Sequence, residues 1–174
     1  MGERWQAVDD YIAARLLGDD DALATTLANN AEQGLPPIDV SAAQGKMLFL
    51  LAQMAGAKRI LEVGTLGGYS TIWLARALPD DGELVTLELE PHHARVACEN
   101  LERAGVSAKV DIRVGQAAES LAAMTDEAPF DFVFIDADNT LWDTDGVFAA
   151  AQLHLLAAVE SATSRQSAIE DRLA

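Results

Sequence analysis

With 174 residues, half of them hydrophobic and 23% charged, the chain has the composition of one soluble domain large enough for a real core. Its formal net charge of −16 argues against duplex nucleic acid and anionic membrane surfaces as partners, because both demand clustered Lys and Arg. A single cysteine, Cys98, excludes an internal disulfide and a cysteine-rich zinc site; lying in a helical pattern, it is read as packing rather than nucleophile.

The first fifty or so residues are predicted to be helical. "RWQAVDDYIAARLLG" places Trp5, Val8, Ile12, Leu16 and Leu17 on an amphipathic stripe. "DDDALATTLANNAEQG" has an acidic start and the terminal glycine Gly34. "LPPIDV" is a proline-stiffened connector, after which Ser41 is placed to cap the helix "AAQGKMLFLLAQMAG", which stops at Gly56. The N-terminus lacks the basic-then-apolar order of a signal peptide, and no run reaches the roughly 18 apolar residues of a membrane span. The cytoplasm is the expected compartment.

From residue 58 the texture changes. "KRILEVG", "GELVTLELE", "AKVDIRVG" and "FDFVFID" are short apolar runs separated by helical stretches, the pattern of right-handed βαβ units on a parallel sheet. The expected organisation is a helical N-terminal extension over 1–57, an α/β core with a parallel sheet over 58–138, and an atypical, mainly helical segment over 139–174. Trp73, in a helical pattern, is read as core. His92 and His93, after Pro91 at a helix start, are read as solvated or capping, and His154 as a boundary residue.

The first strand-to-helix junction, "LEVGTLGGYS", ends its strand in Glu62 and sets Gly64, Gly67 and Gly68 in the turn. Glycines there permit positive φ and close approach of a ligand to the backbone, whose N–H groups open the next helix. The second strand ends in Glu88 and Glu90, with Glu88 20 residues beyond Gly68, the place where a carboxylate accepts from ribose hydroxyls. The pair points to an adenosine-containing ligand. An acid at Glu62, beside the turn, disfavours pyrophosphate and suits an ammonium group, which selects S-adenosylmethionine over a dinucleotide.

On these motifs, "PPIDVSAAQGKMLFLLAQMAGAKRILEVGTLGGYSTIWLARALPDDGELVTLE" resembles the cation-dependent O-methyltransferases of the catechol and caffeoyl-CoA type, from about residue 5 to Asp138. The resemblance implies a Rossmann-like S-adenosylmethionine-methyltransferase sheet. It implies that Val40, Glu62, Gly64, Gly68, Tyr69 and Ser70 surround the methionine part of the cofactor, that Glu88 holds the ribose, and that Gly115, Gln116 and Ala117 border the adenine. The family often carries a hydroxyl residue where Ala117 stands. Asp136 is implied as the first metal ligand, also bordering the cofactor. A divalent cation, Mg²⁺ above all, would bind both oxygens of a catechol-like acceptor, lower its hydroxyl pKa and position it for methyl transfer.

After "FIDAD" the family has a lysine; Asn139 stands here, and the further helix and strand that complete the metal site are not found between Asp136 and Asp138. Two accounts are open. An internal deletion would match "ADNTLWD" to the family's later Asp-Asn segment, making Asp138 and Asn139 the remaining metal ligands. Alternatively, "FIDADNTLWDTDGVFAAAQLHLLAAVE" resembles the N-terminal motif of haloacid dehalogenase-type hydrolases, with Asp136 as phosphoryl-accepting nucleophile, Asp138 as general acid/base and Thr140 at the motif's last position. The following residues favour the second account, so the sheet is expected to be truncated or hybrid after its fourth strand. Asp136 and Asp138 are the candidate catalytic residues in either case. The expected function is methyl transfer to a hydroxyl of a catechol-like or phenolic molecule with impaired turnover. The rivals are an inactive S-adenosylmethionine-binding homologue and a hydrolase fragment. A homodimer is expected, covering an open apolar sheet edge.

Overall fold

The computed structural model describes Tyr11 and residues 13–136. The expectations for Trp5, Val8, Ile12, Asp138, Asn139, Thr140 and His154 therefore lie outside the described residues, as does the segment over 139–174. In chain order the elements are α1 (Asp21–Glu32), α2 (Ala42–Met54), β1 (Arg59–Val63), α3 (Tyr69–Ala77), β2 (Glu83–Glu88), α4 (Pro91–Arg103), a 3₁₀ turn (Ser107–Lys109), β3 (Val110–Val114), α5 (Ala117–Ala123) and β4 (Phe132–Ile135). Each of the four apolar runs is a strand and each intervening stretch a helix, as the alternating pattern predicts.

Helix starts and stops follow local chemistry. Ser41 and Gln44 form a reciprocal capping box at α2. Both α1 and α2 end in a Schellman motif, with Gly34 and Gly56 as the left-handed residue (φ +74° and +61°). Asp20 caps α1 by accepting from the Leu23 N–H at 3.0 Å and also accepts from the Arg76 guanidinium of α3 at 2.6 Å. That guanidinium, more than any other group, holds the Asp20 carboxyl below its ordinary range. A folded-state pKa that is depressed supplies stability at neutral pH and loses it as the carboxylate protonates in acid. Asp20→Ala is expected to cost about 1–2 kcal/mol at neutral pH and less as the carboxylate is protonated in acid, in urea titrations at neutral and at acid pH.

The sheet is wholly parallel, in the order β3-β2-β1-β4. Strands β1 and β2 are buried almost throughout, which explains why their runs are continuous rather than alternating. Ile60 and Leu84 face a cluster built with Ile72, Leu74, Trp73, Leu48 and Leu101 from the helices. Leu61, Val63, Val85 and Leu87 face the other side, against Leu121 and Met124. Fully burying such a side chain is worth about 2 kcal/mol, so these two clusters hold the sheet between its helical layers. Trp73 is core, as its pattern predicts.

Two expectations fail on packing. Leu16 is 74% exposed, and only Leu17 of that pair packs on the core. Cys98 is exposed on α4 because the buried positions of that helix are Ala94, Val96, Ala97, Asn100 and Leu101. Among the described residues no helix is long and apolar enough to cross a membrane.

Candidate functional site

The parallel register brings the carboxyl ends of the strands to one edge. Val63 pairs with Leu87 on one side and with Ile135 on the other, and Glu88 pairs with Val114. The ladder runs one residue further at each strand: Gly64 N–H donates to Leu87 O, Gly115 N–H to Glu88 O and Asp136 N–H to Val63 O, each at 2.9 Å. Strand order reverses between β1 and β4, and a crevice at such a switch point is where open α/β sheets bind ligands. There the structure has a cleft of about 250 Å³ lined by Ile38, Asp39, Val40, Gln44, Phe134 and Asp136 among others.

The glycine turn is held from two sides. Glu88 Oε2 accepts from the N–H groups of Thr65 (3.1 Å) and Leu66 (2.7 Å), while Oε1 accepts from Glu90 N–H (2.9 Å). His93 Nδ1 stands 3.5 Å from Oε1. A carboxylate offers about four acceptor positions, so Glu88 keeps room for one more donor. His92 instead bonds the Gln33 carbonyl (3.0 Å). Gly64 and Gly68 take positive φ (+97° and +83°), and so does Leu66 (+48°), a conformation that costs a branched side chain energy.

Gly67 has a packing reason beside the expected close approach of a ligand. A Cβ at 67 would lie 1.9 Å from Asn30 Oδ1, so the position is glycine because a side chain of α1 occupies its space.

Glu62 is fully buried. It accepts from the hydroxyls of Ser70 (2.6 Å), Thr71 (2.5 Å) and Thr86 (2.7 Å), and Thr86 lies 2.6 Å from Thr65 Oγ1. Burial pushes the Glu62 carboxyl up to about 7 against the pull of these donors, and the Asp136 charge adds to the rise. Asp39 is likewise raised, by burial first, with Asn30 opposing and Asp136 adding.

The structure thus brings Val40 and Asp136 together in the cleft; Glu62, Gly64, Gly68, Ser70 and Glu88 are not among its lining and lie at the end of β1, the glycine turn, the start of α3 and the end of β2. Gly115, Gln116 and Ala117 follow β3, one strand beyond Glu88, with Gln116 capping α5. Tyr69 is 4% exposed and packs in the core, its hydroxyl pushed up chiefly by burial. Sequence reasoning passed over Asp39 and the asparagines behind it. The available signal was the Asn29–Asn30 pair, two weak helix formers inside a helical run.

Two carboxylates in a largely apolar cleft suit a cationic ligand such as one carrying sulfonium and ammonium groups. Among the described residues no group of three His, Cys, Asp or Glu is arranged to hold a metal ion.

Comparison with known proteins bears on the same residues. The family model described as "O-methyltransferase" matches residues 17–149, a span that includes "FIDADNTLWD". A catechol O-methyltransferase of Niastella koreensis is 53% identical over 137 residues, covering 78% of this chain and 62% of that protein. One of Mycobacterium tuberculosis is 53% identical over 132 residues, covering 76% and 60%. The crystal structure of a Bacillus cereus O-methyltransferase in complex with SAH superposes with a TM-score of 0.76 at 51% identity, covering 79% of this chain and 64% of that one. The chain spans about three fifths of the length of these relatives.

Proposed function

This chain belongs to the O-methyltransferase family, and we propose that it binds S-adenosylmethionine at the β1–β4 crevice and transfers the methyl group to a hydroxyl of a catechol-like or phenolic small molecule. The observation that carries this is Glu88: a buried carboxylate at the end of β2 that holds the glycine turn through two N–H groups and keeps an acceptor position for a ribose hydroxyl. The cofactor supplies an electrophilic methyl group on a sulfonium. The chain's own residues do the rest: Val40, Gly64, Gly68 and Ser70 wall the methionine part, and Gly115, Gln116 and Ala117 border the adenine. Asp39 and Asp136 offset the positive charge. Glu62, enclosed by hydroxyls, acts on the cofactor by orienting Ser70.

A divalent cation is the second half of the proposal. Asp136 would be one ligand and Asp138 and Asn139 the others; the latter two lie outside the described residues. When bound, the ion lowers the pKa of the acceptor hydroxyl. A cytoplasmic homodimer is proposed on the same footing. That the O-methyltransferase match runs on through residue 149 favours this assignment of "FIDAD" over the hydrolase one.

Calorimetric titration with S-adenosylhomocysteine tests the adenosyl site. Saturable binding is expected, weakened about 10- to 100-fold in Glu88→Gln, the range that one or two bonds to a charged group supply. Absence of binding by the folded wild-type protein would sink the proposal. Methyl transfer to catechol with Mg²⁺ and with EDTA then separates an active enzyme from a homologue that only binds.

A further inference from the structure

Behind the cleft lies a chain of buried amides that belongs to none of the roles above. Asn100 of α4 is completely buried, Asn30 of α1 is 2% exposed and Asn29 is 9% exposed. Arg103, which can only donate, gives a hydrogen bond to Asn100 Oδ1 at 2.7 Å, and Asn29 Nδ2 gives a second at 2.9 Å. The Asn100 amide is thereby oriented, and its Nδ2 donates to the Gly67 carbonyl at 2.8 Å and to Asn30 Oδ1 at 2.9 Å. Asn30 must then turn its Nδ2 outward, where it donates to Asp39 Oδ1 at 3.0 Å. A donor at one end and a carboxylate at the other set the direction of every amide between them.

This chain of amides meets the candidate site at two places, the Gly67 carbonyl and Asp39. Gly67 sits between Leu66, whose N–H is held by Glu88, and Gly68, the cap of α3. Asp39 lines the cleft next to Val40, near enough to feel the Asp136 charge. Helix packing alone could be met by apolar side chains, whereas a fully satisfied polar network selects one arrangement. We infer that Asn30 is a positioning residue: it fixes the glycine turn and the Asp39 wall relative to each other, so that the cofactor meets both already in place. This rests on the adenosyl site proposed above.

The test uses the full chain, with thermal unfolding and S-adenosylhomocysteine titration measured on each variant. Asn30→Asp sets two carboxylates face to face at the outer bond while leaving an acceptor for Asn100. It is expected to weaken binding about tenfold, one wrongly made charged contact in energetic terms. In the double variant Asn30→Asp/Asp39→Asn the bond is rebuilt with reversed polarity, the amide at 39 donating to the carboxylate at 30. Affinity is expected to return to within about threefold of wild type.

Wild-type affinity in a folded Asn30→Asp protein, with only the melting temperature lowered, overturns the positioning role and leaves the adenosyl site standing. A folded double variant that stays as weak as the single one shows that rebuilding the bond does not restore the site, and also overturns it. No binding by the folded wild type removes both proposals. If Asn30→Asp does not fold, Asp39→Asn, which removes the charge but keeps an oxygen to accept from Asn30 Nδ2, is compared with Asp39→Ala, which removes both. Asp39→Ala is expected to bind about threefold or more weaker than Asp39→Asn, and equal affinities overturn the inference.

Discussion

Gly67→Ala is expected to destabilise the protein by at least about 3 kcal/mol and to remove adenosyl binding in whatever fraction still folds. The new methyl would lie 1.9 Å from Asn30 Oδ1, 2.2 Å from its Cγ and 2.3 Å from its Nδ2. A flexible surface side chain would swing aside, but Asn30 is buried and bonded at both ends of its amide. Moving it leaves one N–H of Asn100 Nδ2 and the Asn30 amide without partners away from water, at roughly 1–3 kcal/mol for each unmet group. The same displacement shifts Gly67 and with it the N–H groups that face Glu88. Gly18, with nothing within 4 Å of its Cβ position, is the control, and Gly18→Ala should stay within about 0.5 kcal/mol of wild type. Guanidinium unfolding of the two variants checks this; a Gly67→Ala protein as stable as Gly18→Ala would show that the turn has slack that its contacts do not suggest.

The second large effect is a pH dependence carried by Glu62. Folding raises this carboxyl from 4.5 to about 7, so the folded chain holds a proton that the unfolded chain releases between those values. Its contribution is complete below the unfolded value and is lost as pH rises through the folded one. Stability should therefore fall by about 2 kcal/mol from this group alone between about pH 5 and pH 8. Asp20 and Glu127 are shifted the opposite way by their arginine partners, so the wild-type profile by itself is mixed. The difference between wild type and Glu62→Gln isolates the term. The variant keeps an acceptor for the three hydroxyls and cannot ionise, so the gap between the two profiles should move in its favour as pH rises. Parallel urea midpoints across that range would refute the assignment.

Several features of the site were legible because they are local. A continuous apolar run can bury both faces of a parallel strand, so β1 and β2 announce themselves in "RILEV" and "ELVTLE". The glycine turn and Glu88 are tied by a spacing that a βαβ unit of ordinary length imposes. Ser41 and Gln44 carry their own capping geometry within four residues. At Glu62 position alone did not show that its oxygens accept from Ser70, Thr71 and Thr86, the last 24 residues away on the neighbouring strand. Leu16 and Cys98 misled because periodicity says which residues share a face and not which face is covered.

The sequence by itself determined the order of strands and helices, the turn that opens α3, and the family to which these motifs point. Only the tertiary structure decided why Gly67 is glycine, how Glu62 is enclosed, and that Asp39 stands in the cleft backed by Asn30 and Asn100. Those facts rest on contacts between residues as much as 70 positions apart. Apolar periodicity is a property of one element and survives in the linear order. A hydrogen-bonded amide chain has meaning only once two helices and a loop have been packed together.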